Sequence, residues 1–312
     1  MEKRKLGNSG LDVSVVGLGC NNFGMLPKEA SARVVDRALD QGITLFDTAD
    51  IYGNRGGSET QLGEILGARR QNIVLATKFG MKMDDDGAKS GASRHYITQA
   101  VEASLKRLQT DWIDLYQLHT PDPKTPIEET LRALDDLVKA GKVRFIGCSN
   151  MPAWQVVDSL WLAEQGALSK WVTAQDEYSL LARNAERELI PALKAKAMSL
   201  LPFFPLASGL LTGKYASGQA APNGTRFAVM KGLADRYMTE ANFAIVQRLS
   251  AFAKARGHTI LELAFGYLLS HPTVASVIAG ATRPEQIDAN IAAANWQLTP
   301  DEIAQVQELA AK

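Results

Sequence analysis

Residues 44–54 read TLFDTADIYGN, a short apolar run that is followed at once by two carboxylates and a phenol. Asp47 ends the run, and Asp50 and Tyr52 come just beyond it. Such groups at the end of a buried strand cost free energy unless they are solvated, paired or used in chemistry. The pattern recurs in NIVLATKFG (72–80), which reaches Lys78, and in DWIDLYQLHTPD (111–122), which reaches His119. These strand ends are therefore candidates for a functional site.

Apolar runs and segments of helical period alternate along the whole chain. Continuous runs of Val, Ile and Leu are typical of parallel strands that are buried on both faces. Between them lie helical patterns, such as the one that Ser93 would cap, and another that begins at Pro126 and stops at Gly141. We predict strands at residues 15–19, 44–47, 73–78, 113–119, 143–149, 172–175, 200–205 and 275–279.

Eight strands that alternate with helices predict one α/β domain over residues 1–312, a closed (β/α)8 TIM barrel. An open doubly wound sheet is the alternative, but GLGCNNFG (17–24) matches the dinucleotide-binding fingerprint only in part. At the N-terminus, KRKLGNSGLDVS (3–14) predicts a β-hairpin that closes the N-terminal mouth of the barrel. At the other end, LTPDEIAQVQELAAK (298–312) predicts a helix with Thr299 as N-cap, Pro300 at N1 and Glu302 at N3.

The composition is that of an ordinary globular protein, with 46% hydrophobic and 22% charged residues. The formal net charge is zero, so no broad field would attract nucleic acid or an anionic membrane. Cys20 and Cys148 offer neither a disulfide framework nor metal-ligand spacing. Without a signal-peptide pattern or a membrane-length apolar run, we expect a cytoplasmic protein with no metal, nucleic-acid or membrane partner.

In a barrel of this kind, the C-terminal ends of the strands meet at one mouth. Tyr52 has an ordinary pKa of about 10, which makes it a poor acid near neutrality. The ammonium of Lys78 would favour the phenolate and lower that pKa, and Asp47 would keep the lysine charged. His119 could donate a hydrogen bond to a substrate carbonyl. The four residues together suit proton delivery to an oxygen that is gaining negative charge.

The sequence resembles the aldo-keto reductase family along essentially its whole length. Seven stretches match the family's motifs in the right order: FDTADIYG, ATKFG, DLYQLH, GKVRFIGCSN, AQDEYSLL, PLASGLLTGKY and GATRPEQIDAN. The resemblance implies a TIM barrel that binds NADPH without a Rossmann domain and reduces aldehydes and some ketones. It also implies that Tyr52 is the general acid and that Asp47, Lys78 and His119 assist it.

The resemblance also assigns a cofactor site. It implies that Ser149, Asn150 and Gln175 bind the nicotinamide carboxamide and that Phe203 stacks on the ring, while Phe204 stands where a serine is common. Residues 205–215 and the Gly-, Ala- and Pro-rich segment 216–227 would clasp and cover the cofactor, and residues 280–290 would meet its adenosine end. The full set is Gly19, Cys20, Asn21, Asp47, Ser149, Asn150, Gln175, Phe203, Pro205, Leu206, Ser208, Lys214, Arg226, Gly280, Thr282, Arg283, Gln286 and Asn290.

Two other functions fit parts of the pattern. Some members of the resembling family are redox-sensing subunits, so a regulatory NADPH-binding subunit with little turnover is an alternative. A barrel isomerase or lyase is a weaker one, because it leaves Asn150 and Gln175 unexplained. The expected partner is a small carbonyl substrate, and a weak homo-oligomer is compatible with the sequence. Phe23, Met25 and Tyr52, together with Trp112, favour an apolar substrate pocket.

Overall fold

Eight parallel strands form the centre of the structure, a computed structural model that describes residues 1–311. A two-stranded antiparallel hairpin precedes them. The hairpin strands are β1 Lys3–Lys5 and β2 Asp12–Ser14, and the parallel strands are β3 Val16–Gly19, β4 Leu45–Asp47, β5 Val74–Phe79, β6 Ile113–Leu118, β7 Val143–Ser149, β8 Trp171–Glu177, β9 Ser199–Phe203 and β10 Val277–Gly280. All eight predicted strands are present, each shifted by at most a few residues.

The parallel strands pair in chain order from β3 to β9, and β10 pairs with β3. The barrel closes between β9 and the residues just before β10. There, Leu200 N donates to Thr273 O at 2.8 Å, and Ala275 N donates to Leu200 O at 3.2 Å. The predicted (β/α)8 barrel is therefore confirmed, and the doubly wound sheet is excluded.

Helices cover the outside of the barrel and connect its strands. They are α1 Lys28–Asp40, α2 Tyr52–Leu66, α3 Arg94–Leu108, α4 Ile127–Lys139, α5 Ala153–Gln165, α6 Leu189–Ala195, α7 Arg226–Val229, α8 Lys231–Tyr237, α9 Glu240–Lys254, α10 Ile260–Leu269, α11 Pro284–Ala293 and α12 Pro300–Leu309. The predicted caps are confirmed: Ser93 accepts from Tyr96 N, and Thr299 and Glu302 form a capping box. No helix within residues 1–311 is long and apolar enough to cross a membrane.

The hairpin closes the N-terminal end of the barrel, as predicted. Its Leu6 and Val13 are fully buried among inward-facing side chains of the barrel strands. Gly7 donates its amide to Ser199 Oγ at 2.7 Å. Gly7 has a φ of +56°, and a Cβ there would lie 2.2 Å from Val172 O, so only glycine fits. With this end filled, the opposite mouth is the open one.

Candidate active site

Asp47 and Lys78 form a buried ion pair inside the C-terminal mouth. Asp47 ends β4 and Lys78 lies on the neighbouring β5, so both side chains enter the barrel. Lys78 Nζ donates to Asp47 Oδ2 at 2.6 Å and to Thr48 O at 2.8 Å. Burial lowers the pKa of Lys78, but Asp47 and then Tyr52 raise it by more, so the net direction is upward. The lysine is therefore an ammonium at neutral pH.

Two glutamine amides fix the other oxygen of Asp47. Gln175 Nε2 donates to Asp47 Oδ1 at 2.9 Å, and Gln117 Nε2 donates to the same atom at 3.2 Å. These bonds and the one from Lys78 fix the orientation of the Asp47 side chain. Gln117 was not among the predicted site residues. The sequence did carry a signal for it, because Gln117 interrupts the apolar end of β6 between Tyr116 and Leu118.

Tyr52 stands at the start of α2, with its ring centroid 5.0 Å from Lys78 Nζ. Residues 53–56 after it have left-handed φ values of 66°, 59°, 67° and 113°, which interrupt the helix directly beyond the phenol. A Cβ on Gly53 would lie 2.4 Å from Phe23 O, so the turn needs glycine there. Burial raises the pKa of Tyr52, and Lys78 opposes the rise only in part. The expected net lowering of this pKa is therefore wrong, and the phenol is protonated near neutrality.

His119 follows β6 and packs edge-on against Tyr52, with ring centroids 5.7 Å apart. Burial, and then the charge of Lys78, lowers the pKa of His119 to about 3. The ring is therefore neutral at physiological pH and carries one N–H donor. Asn150 Nδ2 donates to His119 O at 2.9 Å and so ties the end of β7 to this residue.

The residues predicted for the nicotinamide lie together on three neighbouring strands. Ser149 and Gln175 are paired residues of β7 and β8, and Asn150 N donates to Gln175 O at 3.1 Å. Phe203 ends β9 opposite Glu177 of β8. These residues follow His119 around the mouth, because β7 pairs with β6 and Asn150 bonds to the His119 carbonyl. Their contacts with a cofactor remain predictions.

The segment after β9 has a largely left-handed backbone. Phe204, Ala207, Ser208 and Gly209 have φ values of 49°, 45°, 57° and 103°. The amides of Ala207 and Gly209 donate within this turn, to Phe204 O and Leu206 O at 2.8 Å each. The buried Ser208 Oγ has no partner among the described residues, and the exposed Lys214 lies beside Gly209. The Ser208 hydroxyl and the Lys214 ammonium are therefore the groups of this segment that fit a cofactor diphosphate.

The next wall of the mouth is formed by the paired residues Gly19 and Gly280, which end β3 and β10. A Cβ on Gly280 would come within 3.0 Å of Asn21 Oδ1, so the wall is tight. Arg226 reaches across from α7 and donates to Asn22 Oδ1 at 3.1 Å. The predicted covering segment thus lies over the mouth. Asn22 was not predicted, because nothing in its immediate sequence indicates a partner 204 residues away.

The remaining predicted cofactor residues differ in their exposure and in the hydrogen bonds that they already make. Gln286 Oε1 accepts from Thr282 N at 2.7 Å and from Arg283 N at 3.2 Å, so Gln286 caps its own helix. Arg283 is exposed and Asn290 is buried. The Cys20 thiol is fully buried, its Sγ lies 3.7 Å from Leu18 O, and burial raises its pKa. Pro205 and Leu206 lie in the turn after β9.

Trp112 does not line the mouth, so that expectation is wrong. It directly precedes β6 and therefore lies at the N-terminal end of the barrel. Its ring is sandwiched between Arg70 and Arg144, whose Cζ atoms are 4.8 and 4.9 Å from the ring centroid. Trp112 Nε1 also donates to Asp114 at 3.2 Å. At this end of a barrel, such a cluster contributes to stability and not to chemistry.

Comparisons with known proteins agree with this geometry. A model of the Aldo/keto reductase family matches residues 15–311. The chain is 34% identical over 335 residues to the versiconal hemiacetal acetate reductase of Aspergillus parasiticus, covering 99% of this chain and 96% of that protein. It is 37% identical over 319 residues to a probable voltage-gated potassium channel subunit beta of Arabidopsis thaliana, covering 98% and 96%.

A solved structure also matches the whole chain. The aldo-keto reductase AKR11C1 from Bacillus halodurans, in its holo form, matches with a TM-score of 0.83 and 34% identity, covering 100% of this chain and 97% of that one. The family match and this structural match both extend over nearly the whole barrel, including the mouth described above. The chain belongs to the aldo/keto reductase family and is an oxidoreductase.

Proposed function

We propose that the protein reduces aldehydes and some ketones to alcohols with NADPH, and that Tyr52 is the general acid. One observation carries the proposal. The ammonium of Lys78 lies 5.0 Å from the Tyr52 ring and is held from behind by Asp47 at 2.6 Å. A buried cation beside a phenol has its largest effect when the phenol becomes a phenolate, because the local dielectric is low.

The proton would move in one step from Tyr52 to the carbonyl oxygen of the substrate. Burial keeps the phenol protonated until then. As the proton leaves, Lys78 stabilises the phenolate, and Asp47 keeps Lys78 charged and in place. His119, neutral because its pKa is about 3, would donate its N–H to the same oxygen. A bound reduced nicotinamide would supply the hydride to the carbonyl carbon.

The chain's own residues fit such a cofactor. Ser149, Asn150 and Gln175 would orient the carboxamide, and Phe203 would stack on the ring. The Ser208 hydroxyl and Lys214 would hold the diphosphate. The permanently charged and exposed Arg283 would bind the 2′-phosphate that distinguishes NADPH from NADH. The change from serine to Phe204 removes one hydroxyl contact and leaves the others.

The regulatory alternative is not favoured by any feature of the site. The potassium channel subunit among the relatives raises the possibility of a role with little turnover. However, Asp47, Tyr52, Lys78 and His119 are all present and all converge at the mouth. A subunit that only bound a nucleotide would not require a buried ammonium beside a phenol.

The test is NADPH oxidation by the purified protein with an electron-poor aromatic aldehyde, an aliphatic aldehyde and a ketone. Loss of NADPH absorbance should be matched by formation of the alcohol, fastest with the aromatic aldehyde. A parallel titration of NADPH and NADH binding shows that the protein is competent. If NADPH binds and no carbonyl is reduced, the regulatory alternative replaces the proposed reductase.

A further inference from the structure

A polar layer lies between the outer face of the barrel and helices α2 and α3. At its centre is the fully buried Glu59, which accepts from Thr77 Oγ1 at 2.5 Å and from Arg107 Nε at 2.7 Å. Ser104 Oγ also donates to Glu59, at 3.3 Å. The guanidinium of Arg107 is thus committed to Glu59. A buried carboxylate is stable in such a layer only because this cation pairs with it.

Asp50 is a second carboxyl in the same layer, and it has no cation of its own. Its side chain is 1% exposed, and neither oxygen makes a hydrogen bond of good geometry with any residue in 1–311. The charged or titratable groups that act on it or are acted on by it are Glu59 of α2, Lys78 of β5, Tyr96 and Arg107 of α3, and Tyr116 of β6. Burial and the like charge of Glu59 raise the pKa of Asp50 to about 8, although Arg107 opposes them. The carboxyl is therefore neutral at pH 7.

Asp50 is mechanically linked to the proposed proton donor. It lies two residues before Tyr52, and its amide donates to Lys78 O at 3.1 Å. Two residues earlier, Thr48 O accepts from Lys78 Nζ at 2.8 Å. A charged Asp50 would have to move toward water or toward Arg107, since an unpaired buried carboxylate is costly. Such a movement would carry the backbone that holds both Lys78 and Tyr52.

We propose that Asp50 is a positioning residue that holds the Tyr52 segment in its active geometry only as the uncharged acid, so that ionisation of Asp50 switches catalysis off above neutral pH. This inference rests on the proposed role of Tyr52. No atom of Asp50 touches the substrate. Its contribution is to keep the phenol, the ammonium and the neutral imidazole in register.

The experiment is the pH profile of kcat/KM for the parent, Asp50→Asn and the matched control Asp176→Asn. Asp176 is a half-buried carboxyl near the end of β8, a strand that pairs with neither β4 nor β5, and its pKa is also raised by burial. The parent and the control should lose activity about tenfold per pH unit above a single ionisation near pH 8. Asp50→Asn mimics the neutral acid, so it should stay active at pH 7 and should lack this decline in activity at alkaline pH, the alkaline limb of the profile. If it keeps the limb, or is inactive at pH 7 while binding NADPH normally, the proposal is wrong.

A second variant covers the case in which Asp50→Asn does not fold. Glu59→Gln removes the like charge and releases Arg107 toward Asp50, and both changes lower the pKa of Asp50. The alkaline limb should therefore move to lower pH, and an unmoved or raised limb would overturn the proposal. Tyr52→Phe at pH 7 separates the two hypotheses. Full activity there removes the proposed function, whereas low activity with an unchanged limb in Asp50→Asn removes only the role of Asp50.

Discussion

Gln175 and Asp47 are 128 residues apart in the chain, yet Gln175 Nε2 donates to Asp47 Oδ1 at 2.9 Å. This bond crosses the barrel from β8 to β4 and connects the predicted nicotinamide residues with the predicted proton-transfer residues. Gln117 reaches the same oxygen from β6. Both glutamines therefore orient the Asp47 carboxylate, but only Gln175 also lies beside the predicted nicotinamide residues.

This difference predicts separable effects of Gln117→Leu and Gln175→Leu. A hydrogen bond to a charged group contributes about 1.5–3 kcal/mol, so each change should lower turnover by about 10- to 150-fold. Only Gln175 lies beside Ser149 and Asn150, so only Gln175→Leu should also weaken NADPH binding. Steady-state turnover and fluorescence titration of NADPH measure the two effects. Unchanged turnover in Gln117→Leu would contradict the orienting role.

Lys78→Met should lower both turnover and stability. It removes the cation beside Tyr52 and leaves Asp47 buried without its partner, which typically costs about 3–5 kcal/mol of unfolding free energy. Adding Asp47→Asn removes the stranded charge. The double variant should regain most of the stability in urea unfolding but none of the turnover. Recovery of turnover with stability would mean that the pair has only a structural role.

The neutral state of His119 predicts a pH-dependent contribution to stability. Its pKa is about 3 in the folded chain and 6.5 in the unfolded chain, so between these values the unfolded state binds more protons. The stabilisation is complete above pH 6.5 and falls by about 1.4 kcal/mol per pH unit below it. Asp50 makes the unfolding free energy of the parent depend on pH in the opposite sense, because its pKa is raised from 3.8 to about 8 in the folded chain.

The measurement is therefore the difference in unfolding free energy between the parent and His119→Gln, from pH 7 down to about 4.5. As the pH falls, the parent should lose unfolding free energy relative to His119→Gln, because glutamine does not titrate. A difference that does not vary with pH would show that the folded imidazole is charged, and it could not then be the neutral hydrogen-bond donor proposed here.

Arg283→Ala should separate NADPH from NADH. An arginine–phosphate contact contributes about 1.5–3 kcal/mol, so NADPH binding should weaken by about 10- to 150-fold while NADH binding changes little. Arg33→Ala, which removes another exposed arginine, on α1, is the matched control and should leave both unchanged. Equal losses for both cofactors in Arg283→Ala would mean that the arginine supports the fold of the β10–α11 turn instead.

The barrel could be predicted because its strands are buried on both faces, which leaves apolar runs that a sequence displays directly. The caps at Ser93 and Thr299 were equally local. The convergence of Asp47, Lys78 and His119 followed from one topological fact, that parallel strands bring their C-terminal ends to one mouth. Trp112 was wrongly assigned to this mouth, because it precedes β6 and so lies at the N-terminal end of that strand.

What the sequence could not provide depends on three-dimensional surroundings. The net pKa of Tyr52 is a balance between burial and Lys78, and the extent of burial appears only in the folded chain. The Arg226–Asn22 contact joins two loops 204 residues apart. Asp50 was visible as a polar residue after a strand, but its isolation from Arg107 depends on Glu59, seven residues into α2, which pairs with that arginine.

The most direct test of the account is single-turnover oxidation of enzyme-bound NADPH by an aldehyde in the parent and in Tyr52→Phe. This measurement separates chemistry from cofactor binding and from product release. We predict that both proteins bind NADPH with similar affinity and that the variant oxidises it about 10²- to 10⁴-fold more slowly, the usual contribution of a general acid. Oxidation at the parent's rate in Tyr52→Phe would contradict the assignment of Tyr52 as the proton donor.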